Sequence, residues 1–406
     1  MSRTGADVRV LVIACSLAVA AGVAGCAVPG EPVEEPVSSV APARPAPEVA
    51  DGARPALVGE PRWRAPFDDM PNAVADVFVG VIYPKDDQSA LSIVGVDGTG
   101  VTRWSVETDP ACLSFGVSEA AGRAVAVVLS NDGDARAGKL ATTVAASAYD
   151  VHTGKRVWGP VTVPGPVQGP GLIFWQNSPS VVGADAETGK LMLAAATGEP
   201  VPGPAGSEPV YEHDGVGLFS RDGELTAVDT STGATLWRSP DLAGGRAEPA
   251  DAPRASDRDV IAVRWERQDG TVETVLHDLR SGRAITTAGA GGDDLRTTVL
   301  PDAGAVVVAD PAGARAVDRA TGEVRWERAD GAALDLTVVD GDVVYGSADG
   351  RSVAVDIRTG KTVATGSWPV PWARAEGGVL LAPVQGGGDG ARVAGSGQAV
   401  VAYRRA

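Results

Sequence analysis

The sequence has few of the residue types on which metal sites, disulfide frameworks and nucleic-acid surfaces depend. Its 406 residues include three Cys and three His, too few for a zinc site or for several disulfides. Acidic residues outnumber basic residues by 52 to 35, and the formal charge of −17 disfavours a nucleic-acid partner because such a surface repels phosphates. Phosphate-binding glycine loops, G-x-S-x-G elbows and Cys/His nucleophile pairs are also missing. We therefore expect no metal, no cofactor and no catalytic residue.

Long helices are disfavoured by the content of helix-breaking residues. The chain has 52 Gly and 29 Pro, which interrupt it too often for helices of ordinary length. Apolar residues still make up 44% of the sequence, enough to build a sizeable core. Among the few aromatic residues, nine Trp exceed the five Tyr and the five Phe. The composition predicts a loop-rich, all-β protein in which Trp has a special place.

The first 25 residues are predicted to be a secretory signal peptide. Arg3 and Arg9 precede an uncharged run from Val10 to Gly22, which is too short to span a membrane. The next residues, Val-Ala-Gly-Cys26, resemble the bacterial lipobox, whose Cys is diacylated and becomes the mature N-terminus. The resemblance implies a lipid anchor, such as palmitate, on Cys26; a plain signal peptide with a free thiol is the alternative. We expect secretion across the plasma membrane and anchoring at its extracytoplasmic face.

A disordered tether is predicted to follow the anchor. Residues 27–61 contain eight Pro and no aromatic residue, so they bury too little surface to fold. The expected domains are residues 1–25 as signal peptide, 26–61 as lipidated Cys and tether, and 62–406 as the folded part. Cys112 is then the one unmodified thiol of the mature chain, and we expect it to be a small buried residue. We expect the protein to be a monomer.

One motif, Asp-x-x-Thr/Ser-Gly, recurs at a mean spacing of about 43 residues, with one copy a residue shorter. Its Asp can accept hydrogen bonds from the backbone two and three residues on, and its Gly can adopt the left-handed conformation that closes a hairpin. The motif is thus a turn between strands, and its period matches a four-stranded propeller blade. The predicted turn residues are Asp97 and Gly100, Asp150 and Gly154, Asp185 and Gly189, Asp229 and Gly233, Asp278 and Gly282, Asp318 and Gly322, and Asp356 and Gly360.

A Trp stands four residues after the glycine in four copies of the motif. Repetition of a large planar side chain at one strand position indicates a recurring packing slot. Leu193, Thr286 and Ala364 occupy that position in the other copies, so we expect weaker packing there. A strand near the start of the folded part carries a further Trp. The predicted docking residues are Trp63, Trp104, Trp158, Trp237 and Trp326.

The pattern A/V-x-D-x-x-T-G-x-x-x-W resembles the repeat of the quinoprotein-type, or PQQ-like, β-propeller family over residues 62–406. The resemblance implies that each motif joins the third and fourth strands of a blade and that its Trp docks against the next blade. The residues after Ala364 supply three strands and the segment around Trp63 supplies a fourth, which together would close the ring and remove its open edges. We expect an all-β propeller of eight four-stranded blades, with seven blades as the alternative.

The family resemblance suggests three functions. Within the family, BamB-like lipoproteins scaffold an envelope assembly machine, which implies a non-catalytic scaffold or accessory factor with an envelope protein partner. The Ala-, Arg-, Gly- and Val-rich composition is typical of high-GC genomes, Gram-positive ones among them, which have no outer-membrane machine, so the partner itself is not carried over. The alternative is a propeller that binds or senses a glycan or small solute in its central channel. A PQQ-dependent dehydrogenase is least favoured, since the adjacent-Cys disulfide of many such enzymes cannot form here.

A few other residues are candidates for contact sites. Trp368 and Trp372 flank the segment Pro-Val-Pro and form a candidate contact site for a sugar or an apolar anchor of a partner. The alternative is that both fill the junction between two blades. His152 and His277 lie in or beside motif turns, and we expect both to be exposed.

Overall fold

The computed structural model is an all-β propeller, which confirms the predicted fold class. Two short 3-10 turns, Asp51–Ala53 and Pro301–Ala303, are described in full. None of the described helices is long and apolar enough to cross a membrane. The structure describes residues 40–83, 90–108, 114–131, 143–168, 171–175, 189–239, 242, 246–247, 255–266, 270–288, 295–310, 313–329, 334–384 and 400–406.

Seven antiparallel sheets of four or five strands form the blades. Blade 1 has β3 (Asn72–Val74), β4 (Val77–Ile82), β5 (Leu91–Asp97) and β6 (Thr102–Thr108). Blade 2 has β7 (Phe115–Ala120), β8 (Arg123–Asn131), β9 (Val144–Asp150) and β10 (Arg156–Val163). Blade 3 has β13 (Glu208–His213), β14 (Val216–Arg221), β15 (Glu224–Asp229) and β16 (Thr235–Arg238).

The remaining blades follow the same order along the chain. Blade 4 has β17 (Arg246–Ala247), β18 (Ala255–Asp257), β19 (Val260–Glu266), β20 (Val272–Asp278) and β21 (Ala284–Thr287). Blade 5 has β22 (Arg296–Leu300), β23 (Ala305–Asp310), β24 (Gly313–Asp318) and β25 (Val324–Arg328). Blade 6 has β26 (Asp335–Asp340), β27 (Val343–Ala348), β28 (Arg351–Asp356) and β29 (Thr362–Gly366). The closing blade has β1 (Arg44–Pro45), β2 (Trp63–Ala65), β30 (Ala373–Ala375), β31 (Val379–Pro383) and β32 (Val400–Arg404).

Blade 6 shows why these sequences form blades. Its middle strands are rich in Val and are joined by Asp349 and Gly350, both with positive φ, the turn that matches the twist of a tight hairpin. Both faces of the middle strands are buried, because each face packs against a neighbouring blade. The core of the protein is therefore a series of apolar layers between blades, and each blade depends on its neighbours for stability.

The inner strands form a ring of seven. In ring order they are β3, β7, β13, β18, β22, β26 and β30, and β30 returns to contact β3. Blades 3 and 4 are linked where the Tyr211 hydroxyl donates to the carbonyl oxygen of Arg258 at 2.6 Å. The seven-blade alternative is therefore correct, and one of the eight expected blades is not a full one.

The residues around the Asp185 and Gly189 copy of the motif, which were expected to form a full blade, form a short sheet between blades 2 and 3. This short sheet consists of β11 (Ile173–Phe174) and β12 (Leu191–Met192), extended by the bridges Val167 to Phe174 and Leu193 to Pro200. Blade 2 contacts blade 3 directly at the ring, where the Ser118 hydroxyl of β7 donates to the Glu212 carboxylate of β13 at 2.9 Å. The eight-blade prediction failed because the motif period counts every turn along the chain and not the strands that line the ring.

The ring closes as predicted, by pairing of an N-terminal strand with the C-terminal blade. Trp63, Arg64 and Ala65 of β2 pair with residues 400–402 of β32. Because β2 is fixed near the start of the fold and β32 at its end, this pairing holds the first and last blades together.

The packed part of the chain begins before the predicted boundary at residue 62. Residues 40–61, called here the N-terminal strap, run from blade 1 across the closing blade to blade 6. Ala41 bridges Thr102, Val58 bridges Arg405, and the Tyr345 hydroxyl donates to the carbonyl oxygen of Ala56 at 3.0 Å. Proline-rich sequence does not prevent this packing, since the strap needs few hydrogen bonds and uses surfaces that the blades provide.

Candidate functional site

Six of the predicted turns have a common geometry in the structure. The Asp side chain accepts hydrogen bonds from backbone N–H groups two to four residues on, at 2.8 to 3.2 Å. Hydrogen bonds from Ser231 hold the pKa of Asp229 below its ordinary value. A hydrogen bond from Arg325 lowers the pKa of Asp318 to about 2. These carboxylates are therefore ionised acceptors within turns, a structural role.

Each docking Trp joins its blade to the turn of the next one. The indole N–H of Trp104 donates to the carbonyl oxygen of Val151 at 2.7 Å, one residue after the motif Asp150. The same bond to the corresponding carbonyl is made by Trp63, Trp158, Trp237 and Trp326, at 2.6 to 3.3 Å. All five rings are at most 8% exposed. The repeated indole bonds form a belt between blades, called here the docking belt.

The motif glycine is needed twice, for its conformation and for its lack of a side chain. Gly154 has φ of 67°, in the left-handed region. A Cβ atom added to it would lie 2.4 Å from the Cβ atom of Trp104. The motif Asp, its Gly and the Trp of the preceding blade are thus parts of one interlocking contact.

The docking belt also shows which turn replaces the motif copy of Asp185 and Gly189. Asp185 lies outside the described residues, and Gly189 lies just before β12. The Trp158 indole instead donates to the carbonyl oxygen of Ala195 and packs on Gly198, which has φ of 71°. The docking turn of the short sheet is therefore residues 194–198. Sequence reasoning missed it because the turn has Ala194 in place of Asp, although its Thr-Gly pair is a usable signal.

Other contacts replace the Trp where the sequence lacks it. Pro202 packs against Gly233, and the carbonyl oxygen of Ile285 lies against Gly322. Leu193, expected at a docking position, is instead buried in the short sheet. These contacts lack an indole hydrogen bond, in line with the weaker packing expected there.

One end of the propeller carries both the motif turns and the first hairpin turn of each blade; it is called here the motif rim. Motif-turn residues contact hairpin-turn aspartates: Arg280 forms an ion pair with Asp214, Arg319 with Asp259 and Arg358 with Asp342, and the Nδ1 of His152 lies 3.1 Å from Asp76. Most of these groups are substantially exposed, so each pair contributes little to stability.

A central cavity of about 540 Å³ lies within the inner ring near the motif rim. Its charged lining residues are Glu119, Asp257, Arg258, Arg374 and Glu376. Burial raises the pKa of Asp257, whose carboxylate accepts a hydrogen bond from the backbone of Val299 at 2.5 Å. The cavity thus presents both signs of charge to a solute.

The two candidate contact residues have different environments. Trp368 is 7% exposed, and its ring packs edge-on against Tyr345 in blade 6. Little of that ring remains to contact a partner. Trp372 is half-buried and lines the central cavity, where a solute could touch it. The structure therefore separates the pair, leaving Trp372 alone beside the cavity.

Of the two histidines near motif turns, one is exposed and one is buried. His152 is exposed, as expected, and lies 3.1 Å from Asp76. His277 is 3% exposed, contrary to expectation, because it lies on β20 with its side chain between blades. Its Nε2 accepts the indole N–H of Trp265 and its Nδ1 lies 2.9 Å from the carbonyl oxygen of Gly282. Burial lowers the pKa of His277, which favours its neutral form.

The charged lining does not fit the Ca²⁺ and quinone of the PQQ enzymes. Calcium takes about six to eight oxygen ligands. Within the described residues no three Asp, Glu, His or Cys side chains converge so as to hold a metal ion. The cavity carboxylates come from separate blades, with Glu119 on β7, Asp257 on β18 and Glu376 directly after β30. We therefore derive no redox chemistry from this cavity. Cys26 and Cys112 lie outside the described residues.

Comparison with known proteins identifies the family. A family model described as outer membrane protein assembly factor BamB matches residues 141–365, more than half of the chain. The chain belongs to the BamB family. This confirms the resemblance expected from the motif, and the matched range includes the last two strands of blade 2, blades 3 to 5 and nearly all of blade 6.

Solved structures similar to this BamB-family propeller have low sequence identity to it. BamB from Moraxella catarrhalis is 18% identical, with a TM-score of 0.45, over 84% of this chain and 97% of its own. The quinohemoprotein alcohol dehydrogenase ADHIIG from Pseudomonas putida HK5 is 13% identical, with a TM-score of 0.40, over 92% of this chain and 77% of its own. Such identities are too low to transfer an activity. No curated protein matches the sequence significantly.

Proposed function

We propose that this BamB-family propeller is a non-catalytic scaffold or accessory factor of the cell envelope. A lipid on Cys26 holds it at the extracytoplasmic face of the plasma membrane, and it binds another envelope protein. The main support for the proposal is the family match, because its range, residues 141–365, consists largely of blades. The docking belt supports it, because blades locked to one another present a rigid binding surface.

The lipid anchor is tested by labelling cells with palmitate. We expect the wild-type protein to take up the label and the Cys26→Ser variant to take up none, because acylation needs the thiol. Cys112→Ser is the matched control, since it removes the other thiol of the mature chain, and it should be labelled as the wild type is. Label on Cys26→Ser, or its loss from Cys112→Ser alone, would contradict the anchor.

The scaffold role is tested by photo-crosslinking from both ends of the propeller in living cells. Crosslinking residues at Asp222 and Asp349 probe the end opposite the motif rim, and residues at His152 and Arg358 probe the motif rim; all four positions are exposed. We expect one end to capture a single envelope protein reproducibly while the other end serves as its control. Capture of no protein from either end would overturn the scaffold proposal.

The central cavity favours a second candidate function, the binding of a small polar solute. Its volume and its two signs of charge suit a solute with charged groups of both kinds. Arg258 lines the cavity without an ion pair within the described residues. A bound solute should raise the unfolding midpoint, and Arg258→Gln should abolish that rise. An equal rise in the wild type and in Arg258→Gln would exclude the cavity as the site.

A further inference from the structure

A small groove lies where the N-terminal strap passes between blade 1 and the closing blade. Its volume is about 170 Å³. Arg44 of the strap and Arg64 of β2 line it, and blade 1 contributes Ser92, Thr102 and Ser105. Two guanidinium groups and three hydroxyl groups therefore border one small space.

The two arginines stand side by side, and none of the described residues neutralises them. Arg44 is directly opposite Arg64 in the pairing of β1 with β2. Both side chains are exposed, and within the described residues neither guanidinium group makes an ion pair or a hydrogen bond. Like charges directly opposite on paired strands destabilise a sheet. The nearby Arg54, in contrast, pairs with Glu60 at 2.6 Å. The chain has an excess of acidic residues, yet none of those described pairs with these two arginines. The two arginines are therefore available to bind an external anion.

The groove suits a phosphate group. Guanidinium groups bind phosphate oxygens through paired N–H donors, and hydroxyl groups add further donors. Ser92 and Ser105 are half-buried, and their hydroxyl groups make no hydrogen bond within the described structure. They can therefore donate to oxygens that the arginines hold.

We infer that the groove binds the phosphate of an anionic phospholipid headgroup and so orients the propeller on its membrane. This inference rests on the lipid anchor of the proposed function. Val40 follows Cys26 by 14 positions, a span of at most about 45 Å when extended as polyproline II. The groove is thus kept within reach of the surface that holds the anchor. A negatively charged membrane surface would also supply the negative partner that the two arginines lack among the described residues.

Vesicle binding by the full mature chain with Cys26→Ser tests the inference without the acyl chains. We expect binding to vesicles of phosphatidylglycerol mixed with phosphatidylcholine, and none to phosphatidylcholine alone. Adding Arg44→Gln and Arg64→Gln should weaken the affinity by about 30-fold, as about 1 kcal/mol for each arginine near an anionic surface implies. The matched control, Arg238→Gln with Arg351→Gln, removes two exposed arginines from other blades and should leave the affinity unchanged.

Further measurements separate the inference from simpler explanations. The unfolding midpoint of the Arg44→Gln, Arg64→Gln variant should equal or exceed that of its parent, since the substitutions remove a like-charge pair. Equal weakening by both double variants would reduce the effect to net charge and overturn the inference. Binding of inorganic phosphate at the arginine pair, without preference for phosphatidylglycerol vesicles, would instead assign the groove to a soluble phosphate. Because these chains carry no lipid, failure here leaves the palmitate result unaffected.

Discussion

Trp104→Ala is expected to lower the free energy of unfolding by about 3 to 5 kcal/mol, the usual cost of removing a buried Trp. Trp104 is fully buried, and its indole N–H is bonded to the carbonyl oxygen of Val151 in the next blade. The substitution therefore opens a cavity between two blades and leaves that carbonyl without its partner. Urea unfolding followed by circular dichroism measures the loss.

Two further variants divide the Trp104 contact into its parts. Trp104→Phe keeps most of the packing but leaves the Val151 oxygen unpaired, at a cost of about 1 to 3 kcal/mol. Trp372→Ala serves as control, because Trp372 is half-buried beside the cavity and outside the docking belt, and it should cost less than Trp104→Ala. Equal losses for Trp104→Ala and Trp372→Ala would contradict a special role for the belt.

A double-mutant cycle tests the interlock between Trp104 and Gly154. Gly154→Ala is strained by the positive φ and also places a Cβ atom against Trp104. When Trp104 is already Ala, the contact with the indole ring is gone and only the contact with the Cβ atom of residue 104 remains, so the steric part of the cost should fall while a backbone cost of about 1 kcal/mol remains. Strictly additive costs would show that the two residues do not act as one contact.

Glu212→Gln is expected to remove a pH dependence from the stability of the protein. Glu212 is 3% exposed; it accepts hydrogen bonds from Ser118 at 2.9 Å and from the backbone of Leu172 at 3.2 Å. Burial raises its pKa from 4.5 to about 7. A carboxyl with a raised pKa contributes its full stability below about pH 4.5, and this contribution is lost as pH rises through 7. The neutral amide of Gln has no such loss.

The measurement is the difference in unfolding free energy between the two proteins as a function of pH. From about pH 5 to about pH 8.5 the wild type should lose about 2 to 3 kcal/mol relative to Glu212→Gln. Taking the difference cancels His213 and His277, whose pKa values are lowered by burial and which act in the opposite direction. Glu107→Gln, an exposed control, should follow the wild type. Parallel curves for wild type and Glu212→Gln would show that Glu212 is not a buried acid.

Local chemistry made the blades and the closing strand predictable from sequence. The Asp and Gly of each motif determine a turn through their own backbone preferences, and the Trp position repeats with the strand that follows. The closure by β2 was predictable because a ring with three strands at one end needs a fourth from the other end. None of these inferences depends on contacts that sequence does not reveal.

The blade number and the strap depended on tertiary contacts. The motif period counts the copy at Gly189, which the structure places just before β12 of the short sheet. Since β7 reaches β13 through Ser118 and Glu212, the inner ring has seven members where eight were expected. The strap has a composition typical of disorder and still packs, because Tyr345 and β32 supply bonding partners. His277 looked like part of an exposed turn, yet its strand turns it toward Trp265.

The position of the strap has a mechanical consequence. A pull on the chain before Val40 reaches first the bridge between Ala41 and Thr102, then the pairing of β1 with β2, and only then the three residue pairs that join β2 to β32. The short contacts of the strap would therefore break first. The released strap would lengthen the chain that leads to the propeller, while the ring stays closed. Such an arrangement lets the chain extend under tension while the propeller keeps its closed ring.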